Sequence, residues 1–186
     1  VMYDLGIKNG TVYLNGGFFN CNIYIKNGVI TNITNEDLGC KVEENASGKL
    51  VLPGFIDPHV HFSLGVGSNI SSDDFYTGSI KGVLGGVTTY IDFLDPIKSV
   101  EEIEEAYKNR MKLAEKSVSD YAFHTTIANP KSSPEEIIKA GIEKGITSIK
   151  LFTTYADTDR RTYDKYIYDL LKLSKKYNVR VVIHAE

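Results

Sequence analysis

At 186 residues, 42% hydrophobic and 24% charged, the chain has enough apolar material for one ordinary domain, or one with a small satellite. A net charge of −3 without any basic stripe leaves no case for nucleic acid or membrane surfaces as partners, and no run approaches the roughly eighteen apolar residues of a membrane span. The start Val1-Met2-Tyr3-Asp4-Leu5 lacks the pattern of a secretion signal, and Cys21 and Cys40 form neither a metal nor a redox spacing, so a reduced, cytoplasmic setting is expected.

Residues 1–52 read as β-structure. Asp4–Lys8, Thr11–Leu14, Phe19–Lys26 and Val29–Ile33 are short alternating runs. They are parted by Asn9-Gly10, Asn15-Gly16-Gly17 and Asn27-Gly28, and Asn-Gly between such runs is a strong hairpin signal. A small β-sandwich-type domain with a structural role is predicted, since no catalytic grouping occurs there.

From Lys49 onward the rhythm becomes strand, helix, strand, helix. The stretch Gly54-Phe55-Ile56-Asp57-Pro58-His59-Val60-His61-Phe62 reads as the first buried strand. A helix follows over Asp73–Leu84, begun by Ser71-Ser72 and ended by Gly85-Gly86. Val87–Phe93 is the second strand, and the second helix runs from a Ser99/Glu102 capping box to about Lys116. Tyr121–Ala128 is the third strand, and Ser133, Pro134 and Glu136 open a third helix that stops at Gly145. Ile146–Thr153, a helix over Thr162–Tyr177 and Val179–His184 complete the series.

Five such strands imply a parallel sheet with helices outside it. No phosphate-type glycine loop follows the first strand, which carries His-x-His instead, so a barrel is preferred to a doubly wound sheet. The fold class is therefore α/β: a partial (β/α)8 TIM barrel, about strands 1–5, over residues 53–186. A whole barrel needs about 250 residues, so the chain is expected to end inside it.

Spacing i and i+2 on a strand turns His59 and His61 to one side, about 6–7 Å apart, with Asp57 on the same face. Such a pair is either a metal site or two satisfied core residues. Asp57 could orient a histidine or make a local hydrogen bond. In Ser148-Ile149-Lys150-Leu151-Phe152, alternation sends Ile149 and Leu151 towards the helices and Lys150 inward. His184 faces inward by the same logic; taken singly, Lys150 could instead reach solvent at the strand end and His184 be a satisfied core residue. A buried ammonium is costly and has no lone pair for a metal, but a lysine that has lost its proton can react with carbon dioxide. His124 reads as structural, Asp92 and Glu186 as structural or as groups that support a metal ligand, and Glu101–Glu105 as a solvated helix face.

The ordered set Asp57-Pro58-His59-Val60-His61, Asp73 to Gly78, Gly85 to Asp92, Ile149-Lys150-Leu151-Phe152 to Tyr155, and His184-Ala185-Glu186 resembles the amidohydrolase superfamily. Within it, the set is most similar to the start of the dihydropyrimidinase (D-hydantoinase) group of cyclic amidases. The resemblance implies that His59 and His61 bind one metal, that Lys150 as its carbamate bridges two, and that His184 binds the second. Two divalent ions, zinc being the expected metal, and carbon dioxide are the implied cofactors. Tyr155 would donate to the oxyanion of the intermediate, and the substrate would be a cyclic amide hydrolysed by a hydroxide between the metals.

The family's remaining metal histidine and its proton-shuttling aspartate would lie beyond Glu186. The 186 residues alone are thus expected to be inactive, and the full-length protein to be a homo-oligomer. Ser63 stands where dihydroorotase- and allantoinase-type enzymes carry Arg or Asn, and Phe62, Leu64 and Val66 keep that loop apolar. Such enzymes, and non-catalytic dihydropyrimidinase-related scaffolds, are the alternatives.

Overall fold

The computed structural model describes residues 2–186, with the side chain of Val66 outside the description. Two compact units divide the chain, Val1–Pro53 and Gly54–Glu186. In the first, strands β1 (Tyr3–Leu14), β2 (Gly17–Lys26), β3 (Val29–Thr34), β4 (Cys40–Asn45) and β5 (Leu50–Val51) form one sheet. Its order is β3-β2-β1-β4, with β5 also on β1. Among the described residues, no second sheet of this unit faces it. Asn15-Gly16 and Asn27-Gly28 make the hairpin turns, all four residues with positive φ.

Asn9-Gly10 does not turn the chain. β1 runs straight through it with a register shift between Ile7 and Gly10. Asn9 takes φ 61, and its N–H donates to Asn22 Oδ1 at 2.9 Å. A side chain thus satisfies the donor that the bulge frees from the ladder. β4 and β5, which have no Asn-Gly flank, pair parallel to β1.

The second unit opens with β6 (Phe55–Asp57) and a short ribbon, β7 (Gly65–Val66) with β8 (Asn69–Ile70). Then come α1 (Phe75–Leu84), β9 (Val87–Phe93), a 3-10 turn (Val100–Glu102), α2 (Ile103–Ala114), β10 (Asp120–Thr126), α3 (Pro134–Glu143), β11 (Ser148–Phe152), α4 (Asp164–Tyr177) and β12 (Arg180–His184). The sheet order is β12-β11-β10-β9-β6, every pair parallel. Strands that neighbour one another in chain order, with no reversal, lack the switch point of a doubly wound sheet. The unit is an α/β fold with one side of a (β/α) barrel.

Local chemistry sets the helix ends. Asp74 caps α1 in a reciprocal box with Thr77, three residues beyond the expected Ser71 start. Ser133 and Glu136 form the predicted box on α3, with Pro134 at its first turn. Ser99 makes no side-chain cap; Glu102 instead accepts from Lys98 N at 2.9 Å, and the chain enters α2 through the 3-10 turn. The core lies between sheet and helices, with Ile149 and Leu151 of β11 against Ile137 of α3 and Leu170 of α4. α1 lies so close to β9 that a Cβ on Gly82 would fall 1.3 Å from the Tyr90 hydroxyl.

Candidate active site

β6 ends at Asp57, so His59 and His61 stand just beyond the strand on irregular chain rather than within it. The extended path persists, because Val60 N still donates to Ile91 O of β9 at 3.3 Å. Alternation therefore survives the loss of regular pairing. The two rings lie 5.2 Å apart between centroids at 81°, and both rest on Phe93, at 4.7 and 4.6 Å. The carboxylate of Asp57 accepts from the backbone N–H of His59 at 3.1 Å, a local bond that orients no imidazole.

Two residues from other elements pin this segment at either end. His124 on β10 meets the Pro58 carbonyl through Nε2 at 2.9 Å and Ser148 Oγ through Nδ1 at 2.6 Å. A carbonyl only accepts, so Nε2 carries the proton and Nδ1 is free to accept from the hydroxyl. Burial holds His124 below the ordinary imidazole range, which keeps it in this neutral form. At the other end, Arg110 Nη2 donates to the Phe62 carbonyl at 2.6 Å and to both oxygens of Asp92 at 3.0 and 2.9 Å. Asp92 also accepts from Phe93 N at 2.6 Å. One buried ion pair thus ties the segment after His61 to the strand that carries Phe93.

Lys150 is 5% exposed, flanked by buried Ile149 and Leu151 as alternation predicts. Its ammonium lies 5.6 Å over the Phe93 ring and 5.7 Å over Phe152. Among the described residues no carboxylate or other acceptor meets it. Desolvation accordingly pulls its pKa down. The histidine pair is shifted the same way: burial, then His59 and Lys150, take His61 to about 4, and burial and Lys150 lower His59. At neutral pH both rings are uncharged with lone pairs available.

His184 closes β12, in register beside Phe152, with their rings 5.7 Å apart. Its Nε2 lies 3.1 Å from the Tyr155 hydroxyl and 3.1 Å from Glu186 Oε2. Tyr155 itself donates to Glu186 at 2.7 Å, and that bond chiefly raises its pKa. Tyr155 holds φ 64 on the loop after β11. That loop is closed at its base by Thr162 N donating to Phe152 O at 2.7 Å.

One cavity of about 460 Å³ is lined by His59, His61, Lys150, His184 and Tyr155, with Arg160 of the same loop. This is ordinary size for a small-molecule site. Of the six site residues named from the sequence, five therefore border one space, and Asp57 does not. Among the described residues, no three His, Cys, Asp or Glu side chains lie close enough to hold an ion by themselves. A metal at the His59–His61 pair would need Lys150 or a donor from outside this chain as its third ligand. The donor chemistry fits: neutral imidazoles beside a buried lysine that no acid neutralises.

Sequence reasoning passed over Arg110, Phe93 and Arg160. Only Arg110 left a signal. It occupies the buried stripe Ile103–Ala106–Arg110–Ala114 of α2, and a charge in such a stripe announces a buried partner.

Comparison with known proteins identifies the family. Residues 50–186 match the Amidohydrolase family. The chain is 35% identical over 184 residues to the D-hydantoinase of Geobacillus stearothermophilus, covering 97% of the chain and 38% of that protein. It is 35% identical over 187 residues to the dihydropyrimidinase of Dictyostelium discoideum, covering 97% and 36%. A crystal structure of D-hydantoinase superposes with a TM-score of 0.85 at 34% identity, over 97% of this chain and 40% of that one. The chain thus spans well under half the length of the relatives it matches.

Proposed function

The chain belongs to the Amidohydrolase family, and on that premise we propose that its full-length protein hydrolyses the C–N bond of a cyclic amide, a dihydropyrimidine or a hydantoin. The observation that carries this reading is Lys150: a buried lysine that meets no acid among the described residues, bordering one cavity with three imidazoles and a phenol. The named activities of the relatives point to the same ring chemistry. Residues 53–186 would form the N-terminal part of the catalytic barrel and residues 1–52 a separate small β domain. The 186 residues alone would be inactive, and the full-length protein would be a cytoplasmic homo-oligomer.

His59 and His61 would hold one divalent metal and His184 a second, zinc in each case, with Lys150 as its carbamate between them. Bound there, such ions would polarise the ring carbonyl and supply a water of near-neutral acidity. Phe93 and Phe152 flank Lys150, and burial lowers its pKa, which favours the uncharged amine that would add to carbon dioxide. Tyr155 would turn its hydroxyl proton from Glu186 to the oxygen that gains charge when the ring carbonyl is attacked. Its positive φ fixes the backbone from which the phenol reaches over the cavity. Ser63 offers no guanidinium next to the histidines, which disfavours dihydroorotate among the possible rings.

Metal analysis and turnover in the full-length protein test the reading, with dihydrouracil, hydantoin, allantoin and dihydroorotate as substrates. Wild type should open dihydrouracil or hydantoin fastest. Lys150→Ala should lose both bound metal and turnover. An active Lys150→Ala protein with two metals would overturn the assignment.

A further inference from the structure

Arg160 lines the cavity together with the candidate catalytic residues, yet the ring-opening chemistry has no task for it. Its guanidinium carbon lies 6.0 Å from the centroid of Phe152, the same ring that Lys150 faces at 5.7 Å. Among the described residues it makes no ion pair and no side-chain hydrogen bond. Asp95 also lines the cavity but does not meet it, and Glu186 is engaged by Tyr155 and His184.

The backbone of Arg160 is held firmly. Its N–H donates to Tyr155 O at 3.0 Å, and its carbonyl accepts from Asn129 N at 3.3 Å. The neighbouring Asp159 bonds to Lys98 Nζ and to Asn129 Nδ2, so the loops after β9, β10 and β11 are tied together at this point. Tyr155, Asp159 and Asn129 all adopt positive φ, and such backbone in non-glycine residues persists where its surroundings over-determine it. An exposed planar cation with five donors, fixed at the root and, among the described residues, unpaired at the tip, suits a carboxylate better than any neutral group.

Resting on the hydrolase reading, we propose that Arg160 selects ring substrates bearing a short acidic side chain. The class is a hydantoin or dihydropyrimidine with a carboxymethyl or carboxyethyl group on a ring carbon. The ring sits at the histidines and Lys150, and the side chain extends along Phe152 to the guanidinium. An uncharged side chain of the same length leaves Arg160 without a partner.

The test compares 5-(2-carboxyethyl)hydantoin with its carboxamide analogue on the full-length, metal-loaded protein. Wild type should favour the acid by about tenfold in kcat/KM, mainly through KM, and the preference should shrink as salt is added. R160Q should bring the ratio of the two substrates to about one, and R160K should retain part of it. A wild type without preference, or a preference that survives in R160Q, would overturn the proposal. If wild type opens neither ring, the hydrolase reading fails by itself. Calorimetric binding of the same two compounds then decides about Arg160: acid-selective binding lost in R160Q supports it, and equal binding overturns it.

Discussion

Among the described residues of the second unit, two cations are buried, and the molecule treats them in opposite ways. Arg110, 3% exposed, has a carboxylate held by both oxygens and a backbone carbonyl as well. Lys150, 5% exposed, has two aromatic faces and no acid. Burial pushes the Asp92 carboxyl up, and the guanidinium works against that shift. Burial pulls the Lys150 ammonium down, and among the described residues no carboxylate opposes it. The first arrangement lowers the cost of a charge by satisfying it, which suits a fixed strut. The second leaves the cost standing, which suits a group meant to change its chemical state.

The contrast can be broken by mutation. Arg110→Leu should destabilise the protein by about 3–5 kcal/mol in urea unfolding, because Asp92 is left buried and uncompensated. Replacing both residues by apolar ones should recover part of that loss. Tyr155→Phe should slow turnover of the full-length enzyme by about a hundredfold, with unfolding unchanged, since it removes one donor to developing charge. Lys150→Met should behave unlike Arg110→Leu, leaving stability unchanged or raising it by about 1 kcal/mol while abolishing metal uptake. A loss of stability as large as that of Arg110→Leu would erase the distinction.

His124 supplies a pH test. Its folded pKa is depressed, so below the ordinary imidazole value near 6.5 the unfolded chain binds a proton that the folded chain refuses. Stability should be flat above that value and fall as pH drops towards the lower folded midpoint. His124→Gln should make the acid slope shallower in thermal melts at pH 5 and 7.5. Ser148→Ala, which removes a single hydroxyl from His124 Nδ1, is the mildest change, at about 1 kcal/mol or less.

Much of this was legible in the residues. Alternation around Lys150 placed Ile149 and Leu151 in the core, and the Ser133/Glu136 box marked the start of α3. These are local features, decided within a few residues of chain. The misses were non-local. Asn9-Gly10 has the form of a turn, and only the partner strand and Asn22 make it a bulge. The Asp92–Arg110 pair joins a strand to a helix 18 positions away, which periodicity does not report. His59 and His61 keep strand-like alternation while lying outside the strand, because Val60 is paired and its neighbours are not. Arg160 sits in a loop where no period applies at all.

That loop has one more property. Thr162 N closes on Phe152 O at its base, Thr153 and Tyr155 bond to His184 of β12, and the polar bonds of Asp159 run to neighbouring loops. Its ends are therefore set by β11 and its contents are not. Residues 156–161 could be exchanged as a cassette, together with Lys98 and Asn129 and with Tyr155 left in place, without re-registering a strand, which makes this the place to reshape the cavity by transplantation.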